Sequence, residues 1–309
     1  MSRDEILGQN AEKRGISRRD FVKYCGLITA TLGLPVTMAE KVADAMTAAR
    51  PSVIWLAFSE CTGCAESFIR TTYPSIGDLI LDVISLDYSE TIMAAAGHQA
   101  EEVLMDTAEK NKGKFFCIID GALPTKEGYG MIAGRPMIDI AKDITSKAAA
   151  TICVGACASF GGLPAAKPNP SGAKSIQDAL GIKTINIPGC PPNTINMVAT
   201  IVHAIVLGSL PALDNLSRPL FAYGQTIHDR CQRRASYEGG YFAKEFGDAG
   251  HLNGYCLYEL GCKGPETYNN CPTVKFNQGI SWPIEAGHPC IGCSEPEFWD
   301  KMTPFYVAK

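Results

Sequence analysis

The sequence predicts an α/β chain in which a flavodoxin-like parallel-sheet domain (residues 51–210) is followed by a smaller, irregular domain (residues 211–309) built around its cysteines. Three observations lead there. From Pro51 to Leu210, short β-branched runs alternate with helical stretches, the pattern of parallel strands joined by crossover helices. After Pro211 the apolar runs shorten and Gly, Pro and Asn are scattered, so burial alone cannot easily offset the entropy of ordering the chain. Six of the thirteen cysteines, Cys231, Cys256, Cys262, Cys271, Cys290 and Cys293, crowd into that same stretch, where covalent or metal cross-links can supply what burial does not.

A length of 309 residues at 46% apolar composition allows one sizeable core and a second, smaller one. The formal charge of -4 comes without a long basic run, so no nucleic-acid partner is expected.

In chain order, residues 1–45 read as an export signal rather than as fold. Arg3, Lys13, Arg14, Arg18, Arg19 and Lys23 precede or open a mildly apolar stretch, Tyr24 to Ala39, and a small-residue site follows at Ala43-Asp44-Ala45. Ser17-Arg18-Arg19-Asp20-Phe21-Val22-Lys23 matches a twin-arginine signal, the address of passengers exported already folded, which suits a protein that must receive metal cofactors first. Strands are then expected at 52–58 (SVIWLAF), 79–86 (LILDVISL), 115–120 (FFCIID), 151–154 (TICV) and 184–187 (TINI). Ile195 to Leu210 is the most apolar helix candidate, but it spans 16 residues and contains Asn196 and His203. A bilayer needs about 20, so this reads as a core helix with His203 a satisfied interior histidine, and no transmembrane helix is expected.

Ligands of an open α/β sheet gather at the carboxyl ends of its strands. Cys61 and Cys64 follow the first strand, Cys157 follows TICV and Cys190 follows TINI, so three loops bring four thiols to one sheet edge. Four thiolates fit either a tetrahedral zinc or a cubane iron–sulfur cluster, and spacing does not separate the two. The surrounding glycines and prolines, in CTGC (61–64), GACASFGG (155–162) and PGCPP (188–192), favour the cluster, because Gly lets backbone approach a bulky inorganic core. A second set joins His228-x2-Cys231 to Cys256-x5-Cys262. Histidine in place of a thiolate makes an iron–sulfur site less negative and raises its potential. The third set, Cys271 with Cys290-x2-Cys293, has three thiols, which suits a 3Fe-4S centre; Pro283, seven residues before Cys290, has no side chain able to ligate iron. Disulfides are the usual alternative in an exported protein, yet they do not call for cysteines at strand ends beside glycines, or for a partnered histidine.

Cys25 lies in the signal, while Cys117 and Cys153 fall inside strand runs and read as buried thiols. His98 and His251 read as surface or packing residues, and His288 as a hydrogen-bonding neighbour of backbone or sulfur. Glu60, immediately before Cys61, reads either as a proton relay or as a loop carboxylate that is exposed or paired with an arginine.

The strings ECTGCAESF (60–68), SLDYSETIMAAAG (85–97), VGACASFGG (154–162), PGCPPN (188–193), YCLYELGCKGP (255–265), NNCP (269–272) and AGHPCIGCSEPEFWD (286–300) occur in an order that resembles the small subunit of nickel-iron hydrogenases, from about Pro51 to Tyr306. The resemblance implies a proximal 4Fe-4S cluster on Cys61, Cys64, Cys157 and Cys190. It implies a medial 3Fe-4S cluster on Cys271, Cys290 and Cys293, and a distal 4Fe-4S cluster on His228, Cys231, Cys256 and Cys262. The implied activity is that of a hydrogenase: reversible oxidation of H2 to protons and electrons at a nickel-iron centre in a large partner subunit. This chain would relay electrons to an external redox partner, a periplasmic c-type cytochrome or a membrane electron-transfer subunit. Gly63 and Gly162 stand where oxygen-tolerant members carry two further cysteines, which implies the oxygen-sensitive type, and Pro283 stands where some relatives carry a fourth medial cysteine. Many members continue beyond the FWD string into a membrane helix, whereas this sequence stops at Lys309, so a periplasmic heterodimer without a transmembrane helix is expected. Two rival readings are an exported zinc or disulfide scaffold without redox activity, and a hydrogen-sensor subunit, which would lack an export signal.

Overall fold

A computed structural model describes residues 50–72, 75–206 and 210–307, with the isolated positions 23, 26, 29, 30 and 35 before them. The arginine pair, Cys25 and the Ala43-Asp44-Ala45 site lie outside the described residues.

The strands are β1 (Ser52–Ala57), β2 (Ser85–Ser89), β3 (Phe116–Asp120), β4 (Met131–Ile132), β5 (Arg135–Pro136), β6 (Ala150–Val154) and β7 (Ile185–Ile187). Five of them form one parallel sheet in the order β2-β1-β3-β6-β7, while β4 and β5 make a separate antiparallel hairpin. With the hairpin set aside, this is the 2-1-3-4-5 order of flavodoxin-like sheets. The helices that flank it are α1 (Gly63–Ile69), α2 (His98–Lys110), α3 (Met137–Thr145), α4 (Gly155–Phe160), α5 (Ile176–Leu180) and α6 (Thr194–Val206).

Side chains alternate across a strand, and here both faces are apolar. Val53, Trp55, Ile118, Ile152, Val154, Ile185 and Ile187 join one core with residues of α1 and α6. Ile54, Leu56, Cys117, Ile119 and Cys153 join a second with Leu104 of α2, Ile140 and Ile144 of α3, Ala158 of α4 and Ile176 of α5. Cys117 and Cys153 are therefore packing thiols, as their strand positions suggest.

One expected strand is not a single strand. Over 79–86 the chain makes a π-helical turn, Leu79–Val83, and β2 begins only at Ser85. A capping box starts the turn: the Ser75 hydroxyl accepts from the Asp78 amide, and Asp78 Oδ2 accepts from the Ser75 amide at 3.2 Å. Apolar periodicity cannot separate a buried helical turn from a buried strand.

Beyond Pro211 the described chain is made of short helical turns, loops and isolated bridges. Its core is small: Ile227, Ala243, Leu257, Leu260, Trp282 and Ile284, with Cys271 and Cys290 as members in their own right. Phe298, Trp299 and Met302 pack on Ala156 of α4 and tie it to the sheet. A second tie joins Asn196 of α6 to Asn270, whose side chains exchange hydrogen bonds of 2.8 and 2.9 Å. Within the region itself, buried Arg218 bonds Asp214 at 2.8 Å, Glu295 at 2.9 Å and the Ser294 carbonyl at 3.0 Å. His203 of α6 is buried with an interaction partner. Among the described residues no helix is long and apolar enough to cross a membrane.

Candidate functional site

Cys61, Cys64, Cys157 and Cys190 all lie just past the carboxyl ends of strands. The chain leaves β1 and turns through Thr62, at φ 63°, into α1, which carries Cys64. It leaves β6 through Gly155, at φ +84°, into α4, which carries Cys157. Beyond β7 it reaches Cys190. Cys61 and Cys190 are exposed, Cys157 is half-buried and Cys64 is buried. A Cβ on Gly162 would sit 2.5 Å from the Cys157 sulfur, and one on Gly155 would overlap the Cys64 sulfur. Glycine is needed there because backbone passes against a cysteine sulfur.

These thiols sense one another. Burial holds the Cys64 pKa well above the ordinary thiol value, with Asp120, Cys157 and Cys190 adding to it. Burial, then Cys190 and Asp120, push Cys157 up to about 12. Cys190 is raised by burial and then by Cys61 and Asp120. With no cation nearby, Cys64, Cys157 and Cys190 are held protonated, so a metal bound through their sulfurs would release protons.

Asp120, at the end of β3, is a residue that the sequence reading passed over. It is 1% exposed, and burial raises its carboxyl to about 7. Its polar neighbours are the Cys64 thiol and the Ala65 and Gly121 amides. The available signal was a lone carboxylate closing the run FFCIID. Glu60 is neither exposed nor paired with an arginine among the described residues. The Thr62 hydroxyl donates to its Oε1 at 3.3 Å, Oε2 is buried without a hydrogen bond, and burial raises its pKa.

Cys271, Cys290 and Cys293 line one cavity of about 430 Å³, together with Trp282 and Pro283. That is far larger than the water-sized voids of a packed interior. Cys190 of the first set lines the same cavity. Burial raises all three thiols, Cys293 to about 11. His288 also lines the cavity, with its ring against Phe246 at 6.3 Å between centroids.

The third set surrounds Gly264. A Cβ there would lie 3.4 Å from the Cys262 sulfur and 3.9 Å from the His228 amide nitrogen. The His228 ring meets Tyr237 edge-on, with centroids 4.6 Å apart. Cys231 and Cys256 belong to the same group, since the Cys256 thiol is raised by burial and then by Cys262 and Cys231. One local device recurs: a sulfur accepts the amide two residues on, Cys231 from Arg233, Cys262 from Gly264 and Cys290 from Gly292, each at 3.4 Å. Such donors favour a charged sulfur. The amide of Lys263, the residue after Cys262, donates to the Cys290 carbonyl at 2.8 Å, so this set adjoins the one before it. His98 is exposed, and the His251 ring bonds the Gly287 carbonyl at 2.8 Å; both stand apart from the three sets.

Every described cysteine is a free thiol, and among the described residues no three His, Cys, Asp or Glu side chains converge tightly enough for one metal ion. A tetrahedral zinc needs four donors about 2.0–2.3 Å from a single point. Thiol-rich sets with N–H donors at Cys231, Cys262 and Cys290, one of them facing a large cavity, are able to hold a multinuclear inorganic group.

Comparison with known proteins gives a consistent result. The family described as the C-terminal part of the NiFe/NiFeSe hydrogenase small subunit matches residues 223–306, and the family described as the 20 Kd subunit of NADH ubiquinone oxidoreductase matches residues 61–204. A periplasmic NiFe hydrogenase small subunit of Solidesulfovibrio fructosivorans is 54% identical over 308 residues, covering 97% of each chain. One from Nitratidesulfovibrio vulgaris is 52% identical, covering 95% of this chain and 94% of its own. A solved NiFeSe hydrogenase chain from Dm. baculatum superposes with a TM-score of 0.79 at 38% identity, covering 85% of this chain and all of its own.

Proposed function

Because the chain belongs to the NiFe hydrogenase small-subunit family, as the electron-transfer subunit that pairs with a large subunit in an oxidoreductase acting on H2, we propose that its three Cys/His sets hold three iron–sulfur clusters in series. Cys61, Cys64, Cys157 and Cys190 would hold a proximal 4Fe-4S cluster. Cys271, Cys290 and Cys293 would hold a medial 3Fe-4S cluster, and His228, Cys231, Cys256 and Cys262 a distal 4Fe-4S cluster. Bound there, such clusters supply one-electron redox chemistry.

The observation that carries this reading is the continuity of the three sets. Cys190 borders the medial cavity, and the amide of Lys263, the residue after Cys262, donates to the Cys290 carbonyl at 2.8 Å. A relay needs neighbouring centres, and a purely structural metal scaffold does not. The residues of this chain bind the groups, screen them from water and direct N–H donors at their sulfurs, which tunes potential. Exposed Cys61 and Cys190 favour the proximal set as the one facing the large subunit and its nickel-iron centre. Half-buried His228 favours the distal set as the exit to a periplasmic c-type cytochrome or a membrane electron-transfer subunit. The twin-arginine string supports export to the periplasm, and Gly63 and Gly162 support an oxygen-sensitive enzyme.

The test is anaerobic purification of the complex with iron, nickel and zinc analysis and electron paramagnetic resonance. About eleven iron per small subunit, with a 3Fe-4S signal on oxidation, is expected. Zinc in place of iron, or a colourless disulfide-linked chain, overturns the assignment.

A further inference from the structure

We propose that Tyr237 is a positioning residue for the relay: its ring, set edge-on against His228 and backed by Phe242 and Tyr258, holds the imidazole in the orientation that ligates the distal centre. The inference rests on the ligand assignment above. A metal-binding histidine is ordinarily oriented by a hydrogen bond from its second ring nitrogen to a carboxylate, a carbonyl or water. Among the described residues the His228 ring has no such protein partner, whereas the His251 ring bonds the Gly287 carbonyl at 2.8 Å. What the His228 ring meets instead is Tyr237, with centroids 4.6 Å apart and planes at 79°. An edge-to-face pair is directional, because the positive edge of one ring meets the negative face of the other, so it fixes an orientation as well as filling space.

Tyr237 is itself held from two sides. It lies in the short helix Arg234–Glu238, which follows the turn His228–Arg230, and Arg234 fastens the two together: Nη1 donates to the Asp229 carbonyl at 3.2 Å and Nε to Glu238 Oε1 at 2.9 Å. On the other side its ring meets Phe242 edge-on at 5.8 Å and Tyr258 at 5.6 Å between centroids. Those two rings come from the segments around Cys256. The Cys256 amide donates to the Tyr241 carbonyl at 3.1 Å, the Ala243 amide donates to the Cys256 carbonyl at 2.9 Å, and Tyr258 lies two residues beyond Cys256. The three rings therefore connect one ligand of the distal set, His228, to the backbone of another. His228 is only half-buried, so losing the Tyr237 ring would free the imidazole to turn toward solvent.

The experiment is pulsed paramagnetic resonance on the reduced whole heterodimer, grown with isotope-labelled histidine and titrated with unlabelled imidazole. The chains are the wild type, Tyr237→Phe, Tyr237→Leu and Tyr237→Ala, each with iron analysis. Tyr237→Phe keeps the ring and should keep the wild-type midpoint for displacing the labelled nitrogen from the distal centre. Tyr237→Leu keeps bulk without the ring and Tyr237→Ala removes both, and in each the midpoint should fall about fivefold, the factor that one aromatic pair supplies. Iron content and the medial signal should stay unchanged. Midpoints that agree across all four chains, or no displacement in any of them, overturn the proposal, as does a fall in Tyr237→Phe equal to that in Tyr237→Ala. If Tyr237→Leu and Tyr237→Ala lose distal iron while Tyr237→Phe retains it, the ring is scaffold and the proposal again fails. A wild type without histidine nitrogen coupling at the distal centre would instead overturn the ligand assignment.

Discussion

The sheet region and the cysteine-rich region place their thiols in opposite ways. In the first, two apolar cores lie on the two faces of the sheet, and the proximal thiols sit at its rim, two of them exposed. In the second, Cys271 and Cys290 are themselves core residues, alongside Ile227, Trp282 and Ile284. The rim set is presented by a scaffold that exists without it. If Cys271 and Cys290 hold a metal group as proposed, its binding and the folding of this core are coupled. On the proposed reading, rim thiols can face a partner subunit, and core thiols would hold a centre in the interior.

The largest effect should come from withholding iron. Hydrogen exchange on a metal-free chain should show protection kept in β1, β3 and β6 and almost wholly lost over residues 228–307. Equal protection in both regions would break the comparison. Next is the ion-pair cluster inside the cysteine-rich region. Arg218→Met leaves Asp214 and Glu295 partly buried without their cation, and should cost about 3–5 kcal/mol in denaturant unfolding of the loaded protein. A loss below about 1 kcal/mol would mean that apolar packing, such as that of Phe298 and Trp299, and not the ion pairs, holds this region.

Burial within the sheet can be probed separately. Ile119 is fully buried in the second core, and Ile119→Ala should cost roughly 2–5 kcal/mol, whether or not iron is present. A cost that appears only in the iron-loaded chain would show that the sheet, too, depends on its clusters.

The two regions were also unequally legible in sequence. β1, β3, β6 and β7 are apolar enough on both faces that short β-branched runs mark them within one or two residues. The turn at Leu79–Val83 was hidden, because its capping box at Ser75 and Asp78 outweighs a run that reads equally well as strand. Thiol spacing divides the cysteines into three candidate sets. Adjacency between the sets was not legible. It rests on Cys190 lining the cavity of Cys271, Cys290 and Cys293, and on the Lys263 amide meeting the Cys290 carbonyl, which no local pattern encodes. Asp120 was missed for a related reason: a charged residue reads as surface until the fold buries it.

The smallest effect sharpens the claim that burial, not charge, holds the sheet region. Asp143 of α3 bonds Lys147 at 2.8 Å and Arg135 at 3.2 Å, and the Lys147 contact first, with Arg135, holds its pKa below the ordinary value. A carboxyl lowered on folding adds stability above its unfolded pKa of about 3.9, and loses it as pH falls through the lower folded value. Asp143→Asn should therefore cost roughly 0.2–1 kcal/mol near neutral pH. The gap between the two chains should hold steady down to about pH 5, close below that, and shrink in 1 M salt. Comparing denaturation midpoints of both chains at each pH cancels any acid effect on the clusters, which they share. A gap of several kcal/mol would mean that ion pairs rather than the two cores carry this region, and the contrast with the cysteine-rich region would have to be redrawn on charge.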